Sequence, residues 1–436
     1  MTNCISGSIE FPAVKRRVIE ANFTGGHISS NGGVMLLREA DQRLGLLSAA
    51  SSCIHDTRDP DAITHSQESQ LKQRVFSIAL GEEDLNDHTE LRQDMALQTA
   101  VGRDQPLSSA STLFRFEQRF NRQAAIDMHG VIIDQFIASY KKPPKKLILD
   151  FDATDDQVHG NQEGRFYHGY YHNYCFLPLY VFCGQKLLVS YLRKANQDGA
   201  AHAWAILALL VKRLRQAWPE VNIIFRADSG FCRWKMLNWC EHHAVDYIVG
   251  IGGNQRLLKQ GKTLIHQAEQ DYQAHQEKAR LFDDFSYAAK SWTHKRRIII
   301  KAEHTQRGSN TRFVTTSLKA DSRLLYDTLY CARGEMENRI KEQQLGLFAD
   351  RTSAHAWWSN QLRVLLSALA YILLQHIREG ALQGTKFSAL CMQSIRSKLL
   401  KIGVVILRNT RRVRLMFSES YPHKAIFIKV AHYLIE

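Results

Sequence analysis

Three acidic residues stand at the ends of apolar runs, in the segments 147–152, 223–228 and 330–338. Runs such as Leu-Ile-Leu-Asp-Phe-Asp and Ile-Ile-Phe-Arg-Ala-Asp are typical of buried strands. A carboxylate at the end of a buried strand is costly without a counter-charge, and three that converge would repel each other and raise each other's pKa. A divalent cation removes this conflict, and hard oxygen ligands suit Mg²⁺ or Mn²⁺. The pattern therefore predicts a fold that gathers these acids around metal.

The net charge of the chain indicates what kind of partner such metals would meet. Its 436 residues include 57 Lys+Arg and 43 Asp+Glu, a formal charge of +14. This excess favours a polyanion (DNA, RNA or an anionic membrane surface) over a basic enzyme with no such partner. No apolar stretch approaches the roughly 20 residues of a spanning helix, and the N-terminus lacks the order of a signal peptide. We therefore expect a cytoplasmic protein without a membrane partner, and nucleic acid as the polyanion.

Changes in residue pattern predict the fold class. After a basic, proline-marked hinge at 141–146, the chain predicts three strands, a helix, a strand, a helix and a strand, with the second strand at 175–183. This is the order of ribonuclease-H-like nucleases, so we predict an α/β fold with a ribonuclease-H-like mixed sheet. The chain is predicted to begin with a helical N-terminal DNA-binding region at 1–145. The core follows in two parts, 146–251 and 321–380, with the third acid in the second part and a β-rich insertion at 252–320 between them. A basic C-terminal region at 381–436 contains predicted strands at 403–408 and 411–417.

Two aspartates compete for the first position of the predicted site. Asp150 and Asp152 are two residues apart, so on a strand they face the same way, and either could be a ligand. Asp152 is favoured because Thr154 places a hydroxyl nearby. Asp228 follows a clean buried run, and Ser229-Gly230 allows a sharp turn after it. Taken alone, Asp228 is equally typical of an ordinary turn.

The third acid belongs to a denser group of polar residues. On a helix, Arg333, Glu337 and Lys341 fall at four-residue steps on one face, with Tyr330 about one turn earlier. Such a face holds an acid for a metal and cations for phosphates, because Arg grips a phosphate bidentately and Lys acts as a point charge. The alternative is a solvated helix face with ordinary ion pairs.

This group also resembles a known family signature. The block Tyr330-x2-Arg333-x3-Glu337 is similar to the tyrosine–arginine–glutamate–lysine signature of bacterial DDE transposases in the insertion-sequence-four supergroup. Details of the chain most resemble the thirteen-eighty family of that supergroup, from about Phe23 to the C-terminus. The segments that carry this likeness are 111–117, 150–156, 169–171, 226–231 and 333–342. One departure is Gln344, which stands where the supergroup has lysine, and Lys341 is the candidate replacement.

The resemblance implies an activity and a set of site residues. It implies a transposase that binds its own terminal inverted repeats, hydrolyses the phosphodiester at the element ends and transfers the 3′-hydroxyl to target DNA with two Mg²⁺ or Mn²⁺ ions. It assigns Asp152, Asp228 and Glu337 to catalysis and metal binding. The phosphate contacts are then Tyr330, Arg333 and Lys341. It also implies a homodimer on double-stranded DNA. A nuclease without strand transfer and a catalytically decayed DNA-binding protein remain alternatives.

Basic runs outside this group are candidates for DNA contact, with a solvated surface as the alternative for each. Phosphate contacts would make DNA binding strongly dependent on salt. The candidate side chains are Lys141, Lys142, Lys145, Lys146, Arg408, Arg411, Arg412 and Arg414.

Overall fold

The structure, a computed structural model, describes residues 7–436, so the first six residues of the predicted N-terminal region lie outside the described residues. The described part of the chain falls into two compact units. One unit contains the chain up to Leu47 together with Arg58–Phe116 and His376–Glu436. The other contains Ser48–Thr57 and Glu117–Gln375. Segments that are far apart in the sequence, at the two ends of the chain, therefore belong to one unit.

Short strands and then helices precede the core, in which strands alternate with helices. The region before the core holds β1 (Ile9–Val14), β2 (Arg17–Ala21), β3 (His27–Ser29), α1 (Val34–Leu44), α2 (Leu46–Ser52), α3 (Gln67–Leu80), α4 (His88–Leu91), α5 (Met95–Val101), α6 (Ala110–Glu117) and α7 (Arg122–Ala138). There follow β4 (Lys146–Ala153), β5 (Asp156–Gln157), β6 (Phe166–His168), β7 (Asn173–Phe176), β8 (Leu179–Cys183), β9 (Lys186–Tyr191), α8 (Ala203–Ala217), β10 (Asn222–Ala227), α9 (Trp234–His242) and β11 (Asp246–Ile251).

The remaining elements complete the chain. They are α10 (Gln255–Gln260), α11 (Lys262–His275), β12 (Ala279–Tyr287), β13 (Arg296–Thr305), β14 (Gly308–Ser309), β15 (Arg312–Thr316), α12 (Ser322–Leu324), α13 (Gly334–Lys341), α14 (Trp357–His376), α15 (Met392–Ile395), β16 (Val404–Arg408), β17 (Val413–Phe417) and α16 (Lys424–Ile435). Irregular helical turns flank α13, as a π-helical turn at Leu325–Tyr330, a 3₁₀ turn at Cys331–Arg333 and a π-helical turn at Glu342–Gly346.

A mixed sheet forms the centre of the unit that contains β4. Its strands run in the order β12-β13-β15-β11-β10-β4-β8-β9. β4, β10 and β11 are parallel neighbours, whereas β8 and β9 pair antiparallel. Numbered from one to five along the chain, the core strands are β4, β8, β9, β10 and β11. Across the sheet they stand in the order 3-2-1-4-5. This arrangement confirms the predicted α/β, ribonuclease-H-like fold class.

Helices α7, α8 and α9 cover one face of this sheet. Alternate residues of β4 point into that core, and Leu147, Leu149 and Phe151 are at most 2% exposed. Leu207 and Leu214 of α8 pack in the same cluster. Because side chains alternate along a strand, the two aspartates of β4 lie on the opposite face.

The 175–183 run, predicted to be one strand, is two strands in different sheets. β7 ends before Pro178 and β8 begins after it. Proline lacks a backbone N–H, so it interrupts the ladder at this point. β7 pairs with β5 and β6 in a small separate sheet, whereas β8 pairs with β4 in the central one.

Two further regions differ from their predicted patterns. Within the described part of the predicted helical region, the first elements are β1 and β2, whose β-branched and aromatic residues favour strands. The 252–320 segment begins with the helices α10 and α11, and its strand β15 pairs with β11, so the segment extends the central sheet. The two predicted C-terminal strands correspond to β16 and β17, and β16 also pairs with β3.

Among residues 7–436, none of the helices has both the length and the apolar composition needed to cross a bilayer.

Candidate active site

The register of β4 and β10 brings two aspartates to one edge of the sheet. Arg226 lies opposite Asp150, and the last registered pair is Ala227 opposite Phe151. Asp228 and Asp152 are the next residues along the two strands. Since the strands are parallel, their carboxyl ends lie at the same edge. The spacing of one residue beyond a shared register therefore places these carboxylates near each other.

Asp150, the other candidate, is occupied by a buried arginine. Arg226 Nη2 donates to Asp150 Oδ2 at 2.7 Å, and Arg226 Nε donates to Asp150 Oδ1. The two side chains are 3% and 7% exposed. Burial raises the pKa of Asp150, and the hydrogen bonds and charge of Arg226 oppose that rise. Arg226 also donates to the carbonyl of Leu329, so its fork joins β4, β10 and the turn before α13.

Asp152 lies nearer to solvent and shares its arginine with a second acid. Arg333 Nη1 lies 3.4 Å from Asp152 Oδ2, and Arg333 Nη2 lies 3.2 Å from Glu337 Oε1. Burial raises the pKa of Asp152 to about 6. Arg333 opposes that rise, and the carboxylates of Asp228 and Glu337 add to it. The carboxylates of Asp228 and Glu337 thus influence the charge of Asp152, and the guanidinium of Arg333 lies between Asp152 and Glu337.

Gly250 allows an aromatic side chain to approach this site closely. A Cβ on Gly250 would lie 2.5 Å from Tyr330 Oη and 2.9 Å from Ser229 N. Asp228 caps a 3₁₀ turn at Ser229–Phe231, and its Oδ1 accepts a hydrogen bond from Gly230 N at 2.9 Å. Burial raises the pKa of Tyr330, Arg333 lowers it and Asp228 raises it further. The tyrosine is therefore packed against the turn that carries Asp228.

The helical residues predicted for the site separate into two groups. Tyr330, Arg333 and Glu337 belong to the same site as Asp152 and Asp228. Along these three positions the backbone changes from π-helical to 3₁₀ to α-helical geometry. Lys341 ends α13 and is exposed. Gln344 Nε2 donates to the carbonyl of Asp155 at 3.0 Å, so Gln344 ties the turn after α13 to the loop after β4.

The acids fit a divalent cation in their chemistry. In residues 7–436, no group of three or more His, Cys, Asp and Glu side chains stands close enough together to hold a metal ion as it is. The three carboxylates nevertheless offer the hard oxygen donors that Mg²⁺ and Mn²⁺ prefer. The positive charge that they require is supplied by Arg333, which contacts Asp152 and Glu337.

Sequence reasoning did not assign roles to Arg226 and Gly250. A signal for the arginine was present, since Arg226 precedes Asp228 by the same two residues that separate Asp150 from Asp152. A charged residue inside a buried run requires a partner, and a parallel neighbour with the same spacing supplies one. The role of Gly250 depends on a contact with a residue 80 positions later in the chain, at Tyr330, and has no local signal.

Comparison with known proteins bears on this arrangement. No curated protein matches the chain. Among solved structures, it is similar to the cryo-EM structure of a piggyBac transposase synaptic complex with hairpin DNA, with a TM-score of 0.45 and 11% identity over 84% of this chain and 78% of that chain. The family model described as transposase DDE domain group 1 matches residues 11–436. The chain therefore belongs to the transposase DDE domain group 1 family.

Proposed function

We propose that this protein moves an insertion sequence of the insertion-sequence-four supergroup, in its thirteen-eighty family. It binds the terminal inverted repeats as a homodimer, hydrolyses the phosphodiester at each element end and transfers the 3′-hydroxyl to target DNA. The observation that carries this proposal is the nearness of three acids: the shared register sets Asp228 and Asp152 at one sheet edge, and Arg333 contacts both Asp152 and Glu337. Membership of a transposase family supports transposition as the reaction.

In this proposal the three acids hold two divalent cations, Mg²⁺ or Mn²⁺. When bound, these ions neutralise charge on the scissile phosphate and activate the attacking oxygen. Asp152 must be ionised to serve as a ligand, so with its pKa raised to about 6 a proton competes with the metal for this carboxylate as the pH falls. Without bound cations, Arg333 contacts Asp152 and Glu337. If the cations take over these two carboxylates, the guanidinium of Arg333 can bind a phosphate with two hydrogen bonds.

Tyr330 and Lys341 act on the DNA strand in this proposal. Because burial raises the pKa of Tyr330, its hydroxyl stays protonated near neutral pH and donates a hydrogen bond to a phosphate oxygen. The raised pKa also disfavours the phenolate form that would act as a nucleophile. Lys341 is exposed at the end of α13, where its ammonium can act as a point charge for a phosphate farther along the strand.

Basic side chains elsewhere supply contacts to the DNA backbone. Arg411, Arg412 and Arg414, on and before β17, are exposed. Arg408 donates to the carbonyl of Asp104 at 2.8 Å, so its role is to hold β16 in place. The lysines at 141, 142, 145 and 146 are exposed as well. Contacts of this kind to phosphates make DNA binding weaken steeply as salt increases.

The decisive experiment replaces Asp228 with asparagine. The amide keeps the Oδ1 that accepts from Gly230 N, so the turn is preserved while the charge is lost. Purified protein is incubated with Mg²⁺ and DNA from either side of its gene, where short inverted repeats are expected. We expect Mg²⁺-dependent cleavage by the wild type, joining of the cut 3′-end to a plasmid, and loss of both reactions in Asp228→Asn.

A matched control lies two residues before Glu337 on the same helix. The side chain of Glu335 is 70% exposed and pairs with Arg339, so Glu335→Gln removes an equivalent charge outside the site. This variant should cleave like the wild type, whereas Glu337→Gln should not. Undiminished cleavage by Asp228→Asn would refute the assignment of Asp228 to the site. If the wild type cleaved the DNA but did not join the cut 3′-end to the plasmid, the protein would be a nuclease without strand transfer.

A further inference from the structure

The small sheet beside the central one presents an exposed aromatic surface. We call residues 164–176 the aromatic flap, which comprises β6, β7 and the turn between them. Its exposed rings are those of Tyr170 at 80%, Tyr167 at 55%, Tyr174 at 49% and Phe166 at 38%. The sequence contains no Asp or Glu between Glu163 and Asp198. The flap is thus rich in aromatic faces and free of negative charge.

The rings of the flap are ordered by contacts with each other. Tyr167 lies opposite Tyr174 in the register, with ring centroids 5.6 Å apart in an edge-to-face arrangement. The Arg165 guanidinium lies over the Tyr174 ring, 4.7 Å from its centroid. At the turn, Tyr170 contacts Tyr171 with centroids 5.0 Å apart, also edge to face. Such pairs restrict the rings before any ligand arrives.

The base of the flap is fixed to the core of its unit. Gly164 lies against the ring of Trp357 at the start of α14, where a Cβ would approach the ring to 2.7 Å. The same indole packs edge to face on Phe176, with centroids 5.4 Å apart. Glu163 Oε2 accepts a hydrogen bond from Trp357 N at 3.1 Å. Both ends of the flap therefore contact one partly buried tryptophan.

The inner edge of the flap contacts the loop that carries Asp155, just after Asp152. Asn173 Nδ2 donates to Asp155 Oδ2 at 3.4 Å, in the loop that follows Asp152. Tyr171 is half-buried, and burial raises its pKa to about 12, with the carboxylates of Asp155 and Asp152 adding to the rise. A strand whose phosphate lies at Asp152 would therefore have its neighbouring nucleotides within reach of the flap.

We propose that the aromatic flap is a stacking surface for unpaired nucleotides next to the scissile phosphodiester, an inference that rests on the proposed function. Bases inside a duplex are covered by their neighbours, whereas unpaired bases expose faces that stack on aromatic rings without regard to sequence. The absence of acids and the guanidinium of Arg165 complement a polyanion. Tyr170, at the tip, is the ring most open to such a base.

The test compares binding of tailed and blunt DNA. A fluorescent duplex with a short unpaired thymine tail and the same duplex without the tail are titrated with protein in the Asp228→Asn background, so binding is measured without cleavage. Tyr170→Ala should weaken binding of the tailed duplex roughly tenfold, in line with the loss of one stacked base. Blunt duplex should bind as before.

Two controls identify the role of the ring. Tyr170→Phe keeps the aromatic face and should bind both duplexes like the parent protein. Trp204→Ala removes a ring that is 50% exposed on α8 and should change neither affinity. A 2-aminopurine base in the tail should be quenched by the parent protein and less so by Tyr170→Ala.

Each result decides the question. Equal affinities of Tyr170→Ala and its parent for the tailed duplex, or an equal loss for tailed and blunt DNA, would overturn the stacking role. Persistent cleavage by Asp228→Asn would instead refute the proposed acids, and the difference between tailed and blunt DNA would still be measurable. The two failures are therefore distinguishable.

Discussion

Two carboxylates on one strand have contrasting environments. Asp150 and Asp152 point to the same side of β4, and each faces an arginine. In the inner pair, Arg226 Nη2 lies 2.7 Å from an aspartate whose side chain is 3% exposed. In the outer pair, Arg333 Nη1 lies 3.4 Å from an aspartate that is 15% exposed, and the same arginine also contacts Glu337.

The difference shows how position along a strand separates a fully paired carboxylate from one that shares its counter-charge with a second acid. Inside the sheet, one guanidinium satisfies one carboxylate with two hydrogen bonds. At the strand end, one guanidinium contacts two acids, Asp152 and Glu337. Burial raises the pKa of Asp152 to about 6, and the carboxylates of Asp228 and Glu337 add to the rise that Arg333 opposes. A balanced pair has no need of a further cation, whereas an unbalanced group can accept one.

The largest expected difference between the two positions is in DNA cleavage. Asp152→Asn should reduce Mg²⁺-dependent cleavage by more than about 100-fold, because the loss of even an outer partner of a metal ligand costs roughly 10–100-fold. Asp152→Asn should still fold, as circular dichroism and gel filtration would show. Asp150→Asn should chiefly lower stability and retain cleavage wherever it remains folded. If the two variants exchanged these outcomes, Asp150 would be the ligand.

The two arginines should differ most in their effect on stability. Arg226→Met leaves Asp150 buried without a counter-charge and should lower the free energy of unfolding by about 3–5 kcal/mol. Arg333→Met leaves acids that reach solvent and should cost no more than about 1 kcal/mol. Urea denaturation at neutral pH without divalent cations measures both. The double variant Asp150→Leu with Arg226→Met should recover much of the loss, and equal costs for the two single variants would contradict the contrast.

The outer aspartate should also give stability a characteristic pH dependence. The pKa of Asp152 in the folded protein is about 6, above its ordinary value of 3.8. The folded state therefore holds this proton more tightly, so the contribution to stability is complete below pH 3.8 and is lost as pH rises through 6. The loss amounts to at most about 3 kcal/mol. Subtracting the stability curve of Asp152→Asn from that of the wild type should reveal it, and parallel curves would exclude it.

The sequence predicts the acids at the strand ends better than it predicts the buried pair of Asp150 and Arg226. The apolar runs and the acids that end them are local patterns, so the strands, the fold class and the candidate acids could be predicted from them. The matching two-residue spacing in the two runs is the only signal for the pairing of Asp150 with Arg226, and it needs the register between two strands 76 residues apart. Pro178 was visible in the sequence and marks the break that separates the flap from the central sheet. The joining of β15 to β11 is likewise a long-range pairing.

The smallest expected effect tests whether the outer site needs close packing. A Cβ on Gly250 would meet Tyr330 Oη at 2.5 Å and Ser229 N at 2.9 Å, whereas a Cβ on Gly252 would meet nothing within 4 Å. Gly250→Ala should therefore cost about 1–3 kcal/mol through overpacking and displace the turn that carries Asp228. Gly252→Ala should leave both stability and cleavage unchanged.

The position of the strain distinguishes the two sites. The atoms nearest to a Cβ on Gly250 belong to Tyr330, Ser229 and Asp228, so cleavage by Gly250→Ala should fall further than its loss of stability alone predicts. Cleavage is measured at a temperature where urea curves show the variant to be fully folded. Full activity under those conditions would mean that the turn of Asp228 tolerates displacement, and the outer site would then owe its properties to charge alone and not to packing.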